Sequence, residues 1–345
     1  GKQGIVLMKA KRHIIKDNPI ISNGAAGVEL ISAHDNTIQG NNILKNEQDG
    51  IVLREGASNN DITHNAVEAN HFNGLHLNGA KETDVRYNKF VKNYRLGVLI
   101  QSDSEKVDLD HNEILSNSLG GIEIRDSRDI DIQQNNIYQN TQFGVKACQG
   151  VERIALDRNW WGDPSGPSGA LEGKGNAVVL CVSPAAVFQQ LGPWLLAPWQ
   201  ELVETSTTGF YTEKLGSSRA YFDASDKADV RLSFYNMDPQ ASGAVIVSKY
   251  LPGKPEGAQN LKNPITVVRM LVSGFRNGTA QIEVEYKDEA LPNGVDEKNL
   301  CLFLSEGGNS WRALNCFVKT EANIVLAEVS VPALTRAPMI AVATK

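Results

Sequence analysis

Four aspartates recur at a near-fixed interval: Asp61, Asp84, Asp108 and Asp131, at steps of 23, 24 and 23 residues. Each stands one residue before an apolar residue, Ile62, Val85, Leu109 and Ile132. If that interval is one turn of a repeating fold, the carboxylates stack on one solvent-facing surface about 5 Å apart, where like charges repel by roughly 1 kcal/mol even in water. Something must offset the repulsion. The neighbouring Lys81, Arg86, Lys106 and Arg128 are available, and so is a bound cation such as Ca²⁺, which takes several carboxylate oxygens. No other cofactor is required.

A second set shares the interval: Glu29, Val52, His76, Leu99, Glu123 and Lys146, an exposed column flanked by Arg54, Asn78, Gln101 and Arg125. Acids, arginines and amides side by side suit an oligosaccharide, which makes Arg54, His76, Asn78, Arg86, Gln101 and Arg125 the candidate ligand-binding residues. Hydrolysis of a glycoside needs two carboxyl groups about 5–9.5 Å apart. Stacked columns meet that distance in many places, and the candidate catalytic groups are Asp108, Asp110, Glu123 and Arg125. His64 and His111 share a column with Tyr87 between them, which reads as packing or surface rather than catalysis. The chain contains no G-x-S-x-G, no H-E-x-x-H and no phosphate loop.

The elements that must hold these columns are visible in the repeat itself. A glycine followed by an apolar-x-apolar triplet begins at Gly4, Gly27, Gly50, Gly74, Gly97, Gly121 and Gly144. Asparagines form two columns in the same register: Asn18, Asn41, Asn65, Asn88, Asn112, Asn135 and Asn159, then Asn23, Asn46, Asn70, Asn93, Asn117 and Asn140. An apolar column runs through Ile15, Ile38, Ile62, Val85, Leu109, Ile132 and Leu156. One such coil cannot bury its apolar residues alone, so neighbours must stack. The expected fold is a right-handed parallel β-helix of about seven to eight coils of 23–24 residues. Stacked asparagines can pass amide hydrogen bonds along its axis, and the glycines suit a turn needing φ > 0. The pairs Asn23-Gly24 and Asn73-Gly74 look like hairpin turns, but strands that recur at coil spacing must be parallel. The one-residue slack between coils falls in the turn after the glycine strand, the expected place for a binding surface.

The repeat runs over residues 1–183. It is interrupted by the loop Asn159-Trp160-Trp161-Gly162-Asp163-Pro164-Ser165-Gly166-Pro167 and returns for the strand Ala177–Cys181. That alignment places Cys181 one coil beyond Cys148, as two stacked, reduced thiols. An apolar stretch over 184–204 reads as a capping segment, a short helix plus an extended piece. Residues 205–345 show short alternating runs with turn signals between them, which reads as an antiparallel β-sandwich of roughly seven to nine strands. A hairpin centred on Gly308-Asn309 sets Cys301 opposite Cys316, close enough for a cross-strand disulfide, which favours an oxidising compartment. Gly4-Ile5-Val6-Leu7 is already a full repeat strand, which points to a fragment of a longer chain or to end-to-end self-association through an uncapped first coil.

With 345 residues, 41% hydrophobic and 21% charged, the composition is that of a globular protein of two domains. A net charge of −6 argues against a nucleic-acid partner, and no apolar run is long enough to span a membrane.

The coil pattern N-x-apolar-x-x-N…G-apolar-x-apolar, closed by the Trp160-Trp161 loop, resembles the right-handed β-helix repeat proteins of the NosD-like, carbohydrate-binding and sugar-hydrolase group over residues 1–182. Residues 277–329, with Leu291-Pro292-Asn293-Gly294 and Trp311-Arg312-Ala313-Leu314, resemble sandwich modules of prokaryotic extracellular surface proteins. The resemblance implies a secreted or cell-surface prokaryotic protein with a polysaccharide or cell-surface glycan as partner. It carries no catalytic residue across: the Asp-Pro-His-Asp signature of alginate epimerases and the polygalacturonase and pectate-lyase signatures are missing. The leading expectation is a non-catalytic glycan-binding or adhesive rod. The alternatives are a polysaccharide lyase, C5-epimerase or glycoside hydrolase working in an Asp/Arg groove, and a self-stacking structural subunit.

Overall fold

Strands one coil apart in sequence lie side by side and parallel. Ile51 pairs with Leu75, Leu75 with Val98, Val98 with Ile122, Ile122 with Val145 and Val145 with Val178. The computed structural model describes residues 2–181, 188–307 and 309–345. It divides into two units, Gly1–Trp194 and Leu195–Lys345.

The first unit is a parallel β-solenoid with three sheets. One sheet is built from the strands that follow the glycines, among them Ile51–Arg54, Leu75–Asn78, Leu96–Gln101 and Gly120–Ile124. The second carries the aspartate column on Ser58–Thr63, Lys81–Arg86, Glu105–Asp110 and Arg128–Gln133. The third holds short strands such as Ala66–Glu68 and Lys89–Val91. The inward column Ile38, Ile62, Val85, Leu109 and Ile132 is fully buried, as are Phe90, Ile114 and Val67 from the third sheet.

The asparagine columns are continuous hydrogen-bond ladders. Each Nδ2 donates to the Oδ1 of the asparagine one coil on, at 3.0 Å for Asn65 to Asn88 and 3.1 Å for Asn88 to Asn112. The same Oδ1 also accepts the backbone N–H of the preceding coil's asparagine, at 2.9 Å for Asn65 N to Asn88. A buried amide is tolerated because every polar atom finds a partner. The second ladder outlasts the sequence pattern: after Asn140 it passes over the Trp160-Trp161 loop to Asn176, a separation of 36 residues.

The column glycines do not serve a left-handed turn. None of Gly27, Gly50, Gly74, Gly97 and Gly121 has a positive φ. They are glycine because there is no space: a Cβ on Gly74 would lie 2.7 Å from the Gly97 carbonyl oxygen and 2.8 Å from Asn93 Nδ2. Positive φ falls instead on the residue before each repeat asparagine of the two columns, including His64 (57°), Tyr87 (56°), Lys92 (54°) and His111 (53°), though not on Gly175 before Asn176. Left-handed backbone disfavours a side chain with a Cβ. Lys92 is exposed, and Lys92→Gly should stabilise the protein by about 0.5–1 kcal/mol, as measured by denaturant melts.

Cys148 and Cys181 form a disulfide, not the pair of free thiols expected from parallel in-register strands. The reason is the rung spacing itself. Ala147 pairs with Leu180, which sets the two Cα atoms 4.6 Å apart, inside the range a disulfide bridges. The helix expected after Ser183 falls on residues 182–187, outside the described residues. The extended piece is present as Phe188–Leu191, which joins the second sheet beside Glu152–Asp157.

The second unit stacks a six-stranded antiparallel sheet on a five-stranded one, more strands than the seven to nine expected. The surplus are short edge strands such as Ser310–Ala313 and Cys316–Lys319, which bury too little to alternate clearly. The core draws on both sheets, with Val247, Met270, Leu302 and Val342 facing Leu232, Phe234, Ile282 and Val325. Cys301 and Cys316 are bonded. The bridge does not run across one hairpin, as the sequence suggested. Leu300–Gly307 does pair with Ser310–Ala313, but Cys316 belongs to the strand beside Ile324–Ser330, so the disulfide ties one sheet to the other.

Candidate functional site

The outer surface of a regular solenoid is flat, and a concavity arises where side chains of successive coils differ in length. One such groove, about 370 Å³, crosses four coils of the glycine-strand sheet. His76, Gln101, Glu123 and Arg125, all singled out by their columns, line it together. Four residues that sequence reasoning missed line it as well: Asp49, Phe72, Asn73 and Arg95. They sit in the turns that lead into the glycines, where no residue type repeats. The groove therefore opens beside the turn of constant length and not beside the variable one.

A hydrogen-bond chain runs along its floor. The buried Asp49 carboxylate accepts from Asn73 through backbone N–H (2.8 Å) and Nδ2 (2.7 Å), and its other oxygen lies 3.2 Å from His76 Nδ1. A carboxylate only accepts, so it places the proton on Nδ1 and leaves Nε2 as the acceptor. Gln101 Nε2 lies 3.0 Å from that Nε2. At the rim Phe72 is 42% exposed, and the Arg95 guanidinium sits 5.7 Å from its ring centre.

The column expected to be exposed is partly buried. Glu123 is only 2% exposed, because Arg125 Nη2 (2.8 Å) and Lys146 Nζ (3.2 Å) close over its carboxylate. Glu29 is covered in the same way by Gln3 and by Arg54 Nε at 2.7 Å. Long cationic side chains from the same coil (Arg125) and from the next (Arg54, Lys146) make buried acids tolerable, since each carboxylate retains charge-assisted hydrogen bonds. Arg54 and Asn78 share the outward column of Gln101 but do not line the groove.

Arg86, Asp108 and Asp110 lie elsewhere, on the second sheet. Asp108 and Glu123 thus belong to different faces of the solenoid and form no pair. The Asp110 carboxylate is 2.9 Å from His111 Nδ1, and His64, Tyr87 and His111 stack with ring centres 5.1 and 5.0 Å apart.

The aspartate column stacks in register, Asp61 beside Asp84, Asp84 beside Asp108 and Asp108 beside Asp131. Arg86 meets Asp84 at 3.1 Å, whereas Lys106 and Arg128 are drawn aside to Glu82 and Glu105. Burial, and then the neighbouring Asp84 carboxylate, hold Asp61 and Asp108 above the usual carboxylate range; burial and Asp108 do the same for Asp131. A carboxyl whose folded pKa is raised binds its proton more tightly in the folded state. Its favourable contribution is full below the unfolded pKa and is lost as pH rises through the folded value. Asp108→Asn should therefore stabilise the protein at neutral pH, by about 1 kcal/mol for each of the two like-charge contacts it relieves, with Asp84 and Asp131. The gain should shrink as pH falls through the carboxylate range, which denaturant melts between neutral and acidic pH will show.

Among the described residues no three His, Cys, Asp or Glu side chains come together as a metal-holding group, and no helix is long and apolar enough to cross a membrane.

Residues 1–98 match the sequence family described as periplasmic copper-binding protein (NosD), and residues 73–159 match the right-handed β-helix region family. No curated protein matches the chain significantly in sequence. Among solved structures, the periplasmic alginate epimerase AlgG is similar at 18% identity with a TM-score of 0.44, over 55% of this chain and 48% of its own. The chain thus spans about half the length of that epimerase. The Dettilon tailspike protein is 12% identical, TM-score 0.36, over 92% of this chain and 68% of its own. The receptor-binding domain of the siphovirus 9NA tailspike is 8% identical, TM-score 0.30, over 78% and 55%. All four cysteines of the two-unit chain are in disulfides; the strand order of its first unit is that of a parallel β-solenoid, and residues 73–159 within it match the right-handed β-helix family.

Proposed function

We propose that the groove between Asp49 and Arg125 binds a polysaccharide chain, and that the protein works as a glycan-binding rod outside the cytoplasm. One observation carries the reading. An exposed aromatic ring with a guanidinium over it stands at the rim of a groove whose floor presents an imidazole and a side-chain amide. Sugars offer apolar C–H faces to a ring and hydroxyls to amides, and a protein site for them is concave with few convergent polar groups. The groove crosses three rung spacings, about 14 Å, which suits a short run of sugar units along the solenoid axis. The two disulfides favour an oxidising compartment, and glycans at a cell surface are the polymers met there.

A panel of neutral and acidic polysaccharides, screened against the full chain and followed by calorimetry, tests this. Phe72→Ala combined with Arg95→Ala should weaken binding of the best ligand by at least about tenfold, as loss of a central aromatic–arginine contact does. Retention of no glycan, or an unchanged affinity in the double variant, would refute the groove as the site.

A second reading, turnover of the bound chain, is favoured by the Asp49–His76–Gln101 sequence of contacts. Asp49 fixes the His76 tautomer and directs a basic Nε2 at the amide of Gln101. Depolymerisation or epimerisation of the retained glycan, lost in His76→Gln with binding preserved, would establish it.

A further inference from the structure

We propose that a pocket in the second unit binds a small aromatic acid, with the ring inside and the carboxylate at the mouth. The pocket holds about 250 Å³. A dry apolar cavity of ~150 Å³ in another protein takes up benzene, so one ring and a short charged substituent fit here. Its apolar walls include Tyr250, Val267 and Tyr286, which are themselves buried, together with Pro255, Pro264 and Ile265.

The charge of the ligand is set by what the pocket leaves uncommitted. Five charged residues line it: Asp229, Lys249, Lys254, Glu285 and Lys287. Both acids are already paired, Asp229 with Lys249 and Glu285 with Arg231. Two cations remain, Lys254 and Lys287, and among the described residues neither has an ion-pair partner. Neither is buried. A lysine ammonium rides on a flexible four-carbon stem and carries three rotatable donors, so both heads can close on a group at the mouth. The exposed Gln259 lines the pocket too, and its amide has no partner among the described residues. Two free cations and an amide donor around an apolar space complement an apolar anion, not a neutral or cationic molecule. A carboxylate at the mouth keeps contact with water, so the ligand avoids the cost of burying its charge. The site is independent of the β-helix groove and of the glycan reading.

The test is a ligand-observed NMR titration of the full chain with three probes of similar shape: p-toluate, neutral p-toluamide and cationic 4-methylbenzylammonium. The wild type should bind p-toluate about fivefold more tightly than p-toluamide, the gain from one partly exposed ion pair, and 4-methylbenzylammonium more weakly than either. Added salt should shrink the preference for p-toluate. Lys254→Gln combined with Lys287→Gln should erase that preference and leave p-toluamide binding in place. Ala290→Trp, at the exposed rim of the pocket, should abolish binding of all three. The proposal is overturned if the wild type binds no p-toluate, if p-toluamide binds as tightly, if the double glutamine variant keeps the preference, or if Ala290→Trp leaves binding intact.

Discussion

Asn88→Ala should cost the β-helix about 3–5 kcal/mol, counting roughly 1–3 kcal/mol for each buried polar group left alone. The side chain removed is a node with several bonds. Its Oδ1 accepts the Asn65 backbone N–H and Asn65 Nδ2, and its Nδ2 donates to the carbonyls of Ile62 and Arg86 and to Asn112 Oδ1. Without it the Asn65 N–H has no partner and no water, and the Ile62 carbonyl, on a strand paired with Lys81–Arg86, loses one of its donors. Asn88→Asp should be worse at neutral pH. The Asn65 N–H keeps its acceptor, but a second carboxylate oxygen now faces three other oxygens where Nδ2 had donated to them. That carboxyl's pKa is raised in the folded state, so the excess penalty of Asp over Ala should fall as the solution is acidified and the group regains a donor. Asn78→Ala, on the surface of a neighbouring strand with no ladder role, should change stability by less than about 0.5 kcal/mol. Equilibrium unfolding of the three variants measures all of this. Equal stabilities for Asn88→Ala and Asn78→Ala would mean the ladders contribute nothing.

Gly74→Ala should destabilise by about 2–3 kcal/mol, in the range of an overpacked core. The added methyl meets a backbone carbonyl, a ladder amide and Phe90 Cδ1 at 3.0 Å or less, and none of these can move without shifting the next coil. Gly56 is the control. Its φ is 73° and nothing lies within 4 Å of a Cβ there, so Gly56→Ala carries only the left-handed backbone cost of about 1 kcal/mol. The ordering Gly74 worse than Gly56 separates crowding from backbone freedom as the reason for the glycine column. The reverse ordering would restore the turn explanation.

The fold was legible because stacking forces identity. A side chain that must bond to its own copy one coil away tolerates few replacements, so Asn and Gly repeat letter for letter. Asn176 escaped notice because the loop between it and Asn140 breaks the interval, and only the inward strand after it signals the return. The groove was half legible. His76, Gln101, Glu123 and Arg125 stand on strands whose register the repeat dictates, so their proximity follows from counting. Asp49, Phe72, Asn73 and Arg95 stand in turns where each coil uses a different residue, and no column announces them. Arg86 stands on the second sheet beside Asp84, apart from the groove, as the count from the glycine places it. Burial of Glu29 and Glu123 could not be read from alternation. Outward residues are buried there by long side chains that fold over them, Arg125 from the same coil and Arg54 and Lys146 from the next, an effect of side-chain length that alternation does not report.

Hydrogen exchange with and without the best polysaccharide from the screen locates the binding surface directly. Added protection is expected over Leu75–Asn78, Leu96–Gln101 and the turns at 72–73 and 95 that flank the groove. Protection confined to the aspartate-bearing strands Lys81–Arg86 and Glu105–Asp110 would contradict a chain bound in this groove.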